Sequence, residues 1–488
     1  MPTNSSSEAV LSSAERNRVL WVILTGVFMA LVAVSIVNVA MPSIQTSLGA
    51  SSSGIQWVLS GFALTFGVVL VAAGRAGDML GRGGIYLLGL TIYTLSSIGA
   101  GLAPSVEVLN ICRLIMGVGA GLFNPQGMGM IQQYFTGPER GRAFGIFGAV
   151  VGLAVAVGPV FGGLLISLGG ADLGWRLTML VNVPFGIIAI VLGLKWFPRP
   201  LLSPLRDSAG IPVGAVATAK ALDPFGALLL GLVVLGLMFP FVQHQSAWSW
   251  GLIPVALVLL AGWVAWEKHA SQATTDTTPM VDLAIFKTPS FRNGTTMAAV
   301  WFMGATSIWV IVAAYFQLGE GYSALVAGSV GLPGALLSAA SSYAAGRAVS
   351  HYGRWVVIGG IVVTMAGLAS TLLLIVLDAH PLWLIATLTL LGAGQGSVIS
   401  PNQSLTLQDV PLSYAGAAGA VLQTGQRIGT SVGIAMITGL VFFLAENADW
   451  DTAAVGGFAA ILGVLFVGLI IAFVDARSPG RAPTPSRA

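Results

Sequence analysis

Arg113 and Arg427 each stand inside a long apolar run, where an ionised side chain must find protein or water rather than hydrocarbon. Arg113 lies about six residues into its run, roughly 9 Å along a helix. Gly117 and Asn124, four and eleven positions further on, share its face. That arrangement suits a cation turned toward an internal cavity, where it would set the polarity of a guest or organise coupling. The other reading is a side chain that snorkels to the headgroups. Arg427 has Gln423 and Gln426 within one turn. It either lines a cavity or pairs structurally with Gln403 and Gln408 at the end of the preceding run.

The acids inform by where they do not occur. None of the 18 Asp and Glu falls in the central part of an apolar run, and the 4 His lie in loops or at run ends. Proton relays across membranes use intramembrane Asp, Glu or His. Only the run-end acids Asp78, Glu107, Asp223, Glu320 and Asp378 remain for that task, and solvation or pairing is the favoured reading of each. The single cysteine, Cys112, excludes an internal disulfide and a multi-cysteine metal site. No metal and no cofactor is expected.

A second charged constellation reads Gly74-Arg75-Ala76-Gly77-Asp78-Met79-Leu80-Gly81-Arg82. Its glycines allow two helix ends to approach. Asp78, among Arg75, Arg82 and helix termini, can latch two parts of the molecule together. The pattern returns at an offset of 272 residues as Gly346-Arg347-Ala348-Val349-Ser350-His351-Tyr352-Gly353-Arg354. Ser350 replaces the acid there, so the second latch should be the weaker one. A further echo links Gly117–Gly121 before Pro125-Gln126 with Gly392–Gly396 before Pro401-Asn402-Gln403. Between these lies a glycine series, Gly141, Gly145, Gly148, Gly152, Gly158 and Gly162, whose spacing lets helices touch closely. Pro159 removes a backbone donor and bends a helix, which suits a gate that rocks.

Long membrane helices must hold these residues. Hydrophobic residues make up 56% of the 488 and charged residues 8%, with mean hydropathy +0.88. A soluble domain carries roughly 25% charged residues, so the solvent for most of this chain is lipid. Fourteen runs reach the roughly 20 apolar residues that a spanning helix needs: 18–40, 54–74, 84–103, 107–131, 143–167, 178–195, 223–242, 251–267, 294–317, 323–346, 355–377, 382–408, 413–444 and 453–474. Their continuous hydrophobicity excludes a barrel. With both termini inside, every Lys and Arg except Arg113, Arg176 and Arg427 falls on the cytoplasmic side, as the positive-inside rule requires. The Ser-rich start lacks the pattern of a removable signal peptide. The expected fold is an all-α polytopic membrane protein of 14 transmembrane helices. Two pseudo-repeated six-helix bundles, 18–196 and 294–474, flank two inserted helices with cytoplasmic linkers in 197–293. Cytoplasmic tails occupy 1–17 and 475–488.

The motifs carry a family resemblance. The Gly74–Arg82 turn resembles the loop motif of the major facilitator superfamily, and Arg113-Leu114-Ile115-Met116-Gly117 resembles its fourth-span motif, with Met116 where Gln is usual. Ala154–Gly163, containing Gly158-Pro159, resembles the fifth-span motif of its antiporters. Ser35–Pro42 and Trp175–Gly186 are similar to signatures of the fourteen-helix drug:proton antiporter branch. The resemblance covers nearly the whole chain. It implies a secondary transporter in the inner (plasma) membrane that exports amphipathic, drug-like compounds by alternating access, with protons as coupling ion and lipids as surroundings. A midplane site built from both halves would take polar contacts from Asn38, Gln56, Arg113, Asn124, Gln126 and Gln423, with Arg427 beside them. Trp57, Phe62, Trp301, Met303 and Trp309 fall in spans that face the cavity in this superfamily. They suit bulky apolar or cationic guests, while lipid contact or core burial is the competing reading for each. Arg75, Asp78, Arg82, Arg113, Gly158 and Pro159 are the implied gating or coupling residues.

The branch's usual first-span acid is missing, since its position holds Ala33. This leaves open an uncoupled or differently coupled carrier for a lipid or neutral metabolite. A membrane-embedded enzyme would need positioned acids, bases or metals in the spans. No P-loop points to ATP, and nothing points to nucleic acid. A sensor or scaffold without flux would bring large soluble domains, which the chain lacks.

Overall fold

The computed structural model describes residues 11–203, 214–242, 247–272 and 279–477. Most of the expected tails and part of each long linker lie outside the described residues. In a bilayer every backbone N–H and C=O must be satisfied within its own segment, so the apolar runs become helices from end to end. In chain order these are α1 (Ser13–Leu48), α2 (Ser52–Leu80), α3 (Arg82–Gly101), α4 (Val106–Tyr134), α5 (Gly137–Gly170), α6 (Asp172–Trp196), α7 (Pro224–Val242) and α8 (Leu252–Gln272). They continue with α9 (Pro289–Gly319), α10 (Leu332–Tyr352), α11 (Arg354–Val376), α12 (Leu384–Thr406), α13 (Leu412–Asn447) and α14 (Trp450–Ala476).

Local chemistry sets the ends. Ser12 and Glu15 form a reciprocal cap on α1: the Ser12 hydroxyl accepts from Glu15 N, and the Glu15 carboxylate accepts from Ser12 N at 2.8 Å. Gly81 turns α2 into α3 at φ 110°, and Gly353 turns α10 into α11 at φ 52°. Both backbones are in the left-handed region that favours glycine, which accounts for the glycines copied between the two turns.

Thirteen helices among the described residues are long and apolar enough to cross a membrane. The remaining expected span, 323–346, appears as α10, 21 residues long but more polar than the others. Ser338, Ser341, Ser342 and Arg347 lower its hydropathy. It lies between α5 and α12, so much of its surface meets protein rather than lipid.

Helix pairing repeats at an interval of eight helices. In the first six, α5 and α6 lie on α1, α2 and α3 on α4, and α3 on α6. In the last six, α13 and α14 lie on α9, α10 and α11 on α12, and α11 on α14. Across the molecule α2 meets α13 and α5 meets α10, again the same pair. The inserted α7 and α8 pair with each other, and α7 lies along the α2–α13 seam. There are two apolar cores, one around Phe123, Tyr86 and Phe144 that also takes in Ala298, Ala418 and Leu422 across the seam, the other around Trp301, Phe316 and Phe458. The outer faces reverse the soluble pattern. Leu95, Val258 and Phe443 are all more than 60% exposed, as lipid-facing residues are.

Candidate functional site

The starts of α1, α3 and α5 and the ends of α2, α4 and α10 share one end of the bundle, which is rich in arginine. There the halves are joined by Asp78. Its carboxylate accepts from Gly416 N and Ala417 N, both at 2.9 Å, in the first turn of α13. First-turn amides lack partners in their own helix, so an acid from α2 caps a helix of the other half. Arg82 holds the acid in place through Nε at 3.0 Å and Nη2 at 2.8 Å. The same guanidinium donates to Leu412 O at 2.5 Å and to Gln133 Oε1 at 2.6 Å. Arg75 lies over the Tyr414 ring at 6.0 Å. Gln132 adds a second tie, donating to Leu407 O at 2.6 Å and Val410 O at 3.1 Å.

The repeated copy does not cross the seam with charge. Ser350 bonds within its own turn to Arg347 O. Arg354 pairs with Asp475 at 2.5 Å and with Asn402, inside its own half. The α5–α10 seam is closed by glycine instead. A side-chain carbon on Gly346 would lie 2.4 Å from Gly145 Cα and 2.6 Å from Gly141 O.

Beyond these contacts, between the halves, lies a cavity of about 470 Å³ that extends toward the opposite end. Its wall is mainly apolar, with Phe147, Trp301, Phe302 and Trp309 as aromatic surface. Five amides, Asn124, Gln395, Gln403, Gln423 and Gln426, and the hydroxyls of Thr306 and Thr430 supply polarity. Trp301 Nε1 and Gln403 Oε1 are buried without a hydrogen-bond partner among the described residues. Arg427 is the one ionisable side chain among the described lining residues. Its guanidinium stacks 4.5 Å over the Phe66 ring.

Of the residues singled out by sequence, Asn124, Pro159, Trp301, Trp309, Gln423 and Arg427 come together on this wall. Arg113 does not reach it. It is 1% exposed, donates from Nε to Val58 O at 2.8 Å and stacks 4.6 Å over Phe62. Gly117 allows α4 to lie directly on α2 at Phe62 O, so the face shared by Arg113 and Gly117 meets protein rather than a cavity or headgroups. Phe62 is accordingly buried with it. Gln126 is fully buried and ties α4 to α2 through Ala73 O at 2.7 Å. Trp57 leans on Phe239 of α7 at 6.1 Å. Gln56 is half-buried on α2, away from the cavity wall. Met303 is off the wall too, its carbonyl pressed by Gly433. Asn38 falls on α1, and its side chain lies outside the described residues. Gly158 sits against Ser35, whose hydroxyl donates to Ala154 O and to α1 carbonyls. Ala33, where the resemblance places an acid, is buried in the first core.

The profile of the Major Facilitator Superfamily matches residues 23–434. The chain belongs to the major facilitator superfamily. Among its relatives are transporters and antibiotic-resistance proteins. The probable actinorhodin transporter of Streptomyces coelicolor is 32% identical over 88% of this chain and 73% of its own length. The methylenomycin A resistance protein of the same organism is 28% identical over 94% and 93%. Among solved superfamily structures, human organic anion transporter MFSD10 superposes with a TM-score of 0.66 at 14% identity, covering 94% of this chain and 99% of its own, a likeness of fold alone. Superfamily members are transporters, so the chain is a multi-span membrane transporter of small molecules and not an enzyme.

Sequence reasoning did not single out Phe147, Gln395, Thr306 and Thr430 as wall residues. Gln395 stood inside the repeated glycine motif of α12 and could have been found there. The others carry no signal until the α5–α10 seam fixes which faces look inward.

Proposed function

We propose that the chain exports amphipathic, drug-like organic compounds from the cytoplasm by alternating access, as a secondary transporter of the plasma membrane with both termini cytoplasmic. The observation that carries this is the cavity between the halves, closed at the arginine-rich end by Asp78 and by Gly346. Under the positive-inside rule that end is cytoplasmic, which makes this the outward-facing arrangement. The resistance for which the methylenomycin A relative is named supports the direction.

Proton-driven antiport is the coupling the family resemblance implies. In this chain the described acids stand off the cavity wall, among them Asp78 in the latch, and Asp223 and Glu267, both buried, at the foot of α7 and α8. The wall itself has no carboxylate among the described residues, and this favours a second reading, an uncoupled or differently coupled carrier.

The test is efflux from proteoliposomes of uncharged, anionic and cationic aromatic dyes, with and without an imposed pH gradient. Net movement of at least one dye above protein-free vesicles is expected. No movement of any of them would overturn the export reading. Uphill movement that appears only with the pH gradient would select antiport over the second reading.

A further inference from the structure

We infer that the cavity is built for organic anions: flat aromatic molecules carrying a single carboxylate, sulfonate or phenolate, held by Arg427. This rests on the export reading for the site's purpose and deepens it by naming the class of guest.

The charge on the wall is one-sided. No Asp or Glu lines the cavity among the described residues, and Arg427 is its one ionisable side chain. The guanidinium makes no hydrogen bond and no ion pair among the described residues; its contact is the Phe66 ring on α2, at 4.5 Å. A guanidinium has five N–H donors and no acceptor, and stacking uses its face while leaving its edge free. The free edge matches the two oxygens of a carboxylate or sulfonate. A cation in the same space would meet Arg427 at low dielectric with no carboxylate among the described lining residues to offset the repulsion.

The neighbours extend the match. Gln423 and Gln426 lie on the same helix within one turn of Arg427, and Trp301 Nε1, buried behind the wall, has no hydrogen-bond partner among the described residues. Trp301, Trp309, Phe302 and Phe147 give flat apolar surface for a ring system. A volume of about 470 Å³ admits a guest of three or four fused rings. The cations expected of an aromatic-lined pocket are therefore disfavoured by the residue that the pocket leaves unneutralised.

A matched set isolates charge from shape: 4-(1-pyrenyl)butyrate, the corresponding pyrenebutanol, and pyrenebutyl-trimethylammonium. Binding is measured by equilibrium dialysis against the full chain in zwitterionic-lipid nanodiscs, with empty discs subtracted. Pyrenebutyrate should bind on the order of tenfold or more tighter than the ammonium analogue. Arg427→Gln should abolish that preference, read as the affinity ratio of the two charged probes, while pyrenebutanol still binds. Arg427→Lys should retain part of it, since the charge survives and the fork does not. Saturable pyrenebutanol binding shows that both variants are folded at the site. Equal affinities for the charged pair in the parent protein, or tighter binding of the ammonium, would overturn the inference. So would a preference that survives Arg427→Gln. Binding needs no turnover, so failure of export in proteoliposomes leaves this result standing, and failure here leaves export of other guests standing.

Discussion

Arg113 and Arg427 are the same residue in the same kind of apolar setting, and the fold gives them opposite tasks. Arg113 is shut between α2 and α4, with Val58 O and Phe62 as partners, while Arg427 is left facing the cavity. The sequence marked both as unusual. It could not say which would reach the cavity, because that depends on which face each neighbouring helix covers. Asp78 was legible as a latch from its glycines and arginines. Its partners, the amides of Gly416 and Ala417, were not, since backbone donors leave no trace in side-chain chemistry. Replacing Asp78 by Asn strips the charge and leaves the Arg82 guanidinium, 10% exposed, with Leu412 O and Gln133 but without its carboxylate. Breaking a buried pair from one side costs about 3–5 kcal/mol. Asp78→Asn should therefore shift the population away from closure at the arginine-rich end. Spin labels at Thr136 and Ser350, in a Cys112→Ser background, should report longer distances in the variant, and an unchanged distribution would count against the latch.

At the scale of elements, closely apposed helices carry the repeat further than the motifs suggested. Gly158 and Gly162 set α5 against α1 at Ser35 and Ile36. Gly429 and Gly433 set α13 against α9 at Ala299 and Met303. The first pair was read from sequence, and its copy was not, because α13 lacks the proline that draws attention to α5. A single π-helical turn, Ile434–Thr438, follows the second pair and loosens α13 where α5 has Pro159. The α5–α10 seam allows a direct test. Gly346→Ala places a carbon into the backbone of Gly145, whereas Gly163→Ala meets nothing within 4 Å. Overpacking of this kind costs about 1–3 kcal/mol. Thermal unfolding in detergent should show a lower midpoint for Gly346→Ala and little change for Gly163→Ala; equal midpoints would show that the seam gives way without strain. The same reasoning explains α10. Its serines dilute its hydropathy, and they are affordable because α5 and α12 cover much of it.

For the whole molecule, composition and charge placement were enough to read a polytopic helical carrier, and the repeat was enough to expect two related halves. The cavity's chemistry was not legible at that level, because it depends on which few residues of twelve helices face one another. The capped end has a consequence for exchange of hydrogen. When the arginine-rich end opens, Gly416 and Ala417 lose their acceptor and become the frayed start of α13. Amide exchange there should rise in Asp78→Asn, while the far end of α13 stays as protected as before.

Arg427 has a consequence in electrical terms. With no carboxylate on the wall among the described residues, its charge would travel with the cavity under the proposed alternation of access. An empty cavity then carries one positive charge across the field, and a cavity filled by a monovalent anion carries none. A potential that is negative inside, worth about 2.3 kcal/mol per charge per 100 mV, draws the empty carrier back inward and leaves the loaded step alone. Under the proposed export of anions, and with no proton coupled, each cycle would export one negative charge. In vesicles clamped with valinomycin, the distribution of pyrenebutyrate at balance should follow the potassium ratio, tenfold for tenfold, with no pH gradient applied. A distribution that ignores potassium and follows pH would show that protons, and not the field, do the work.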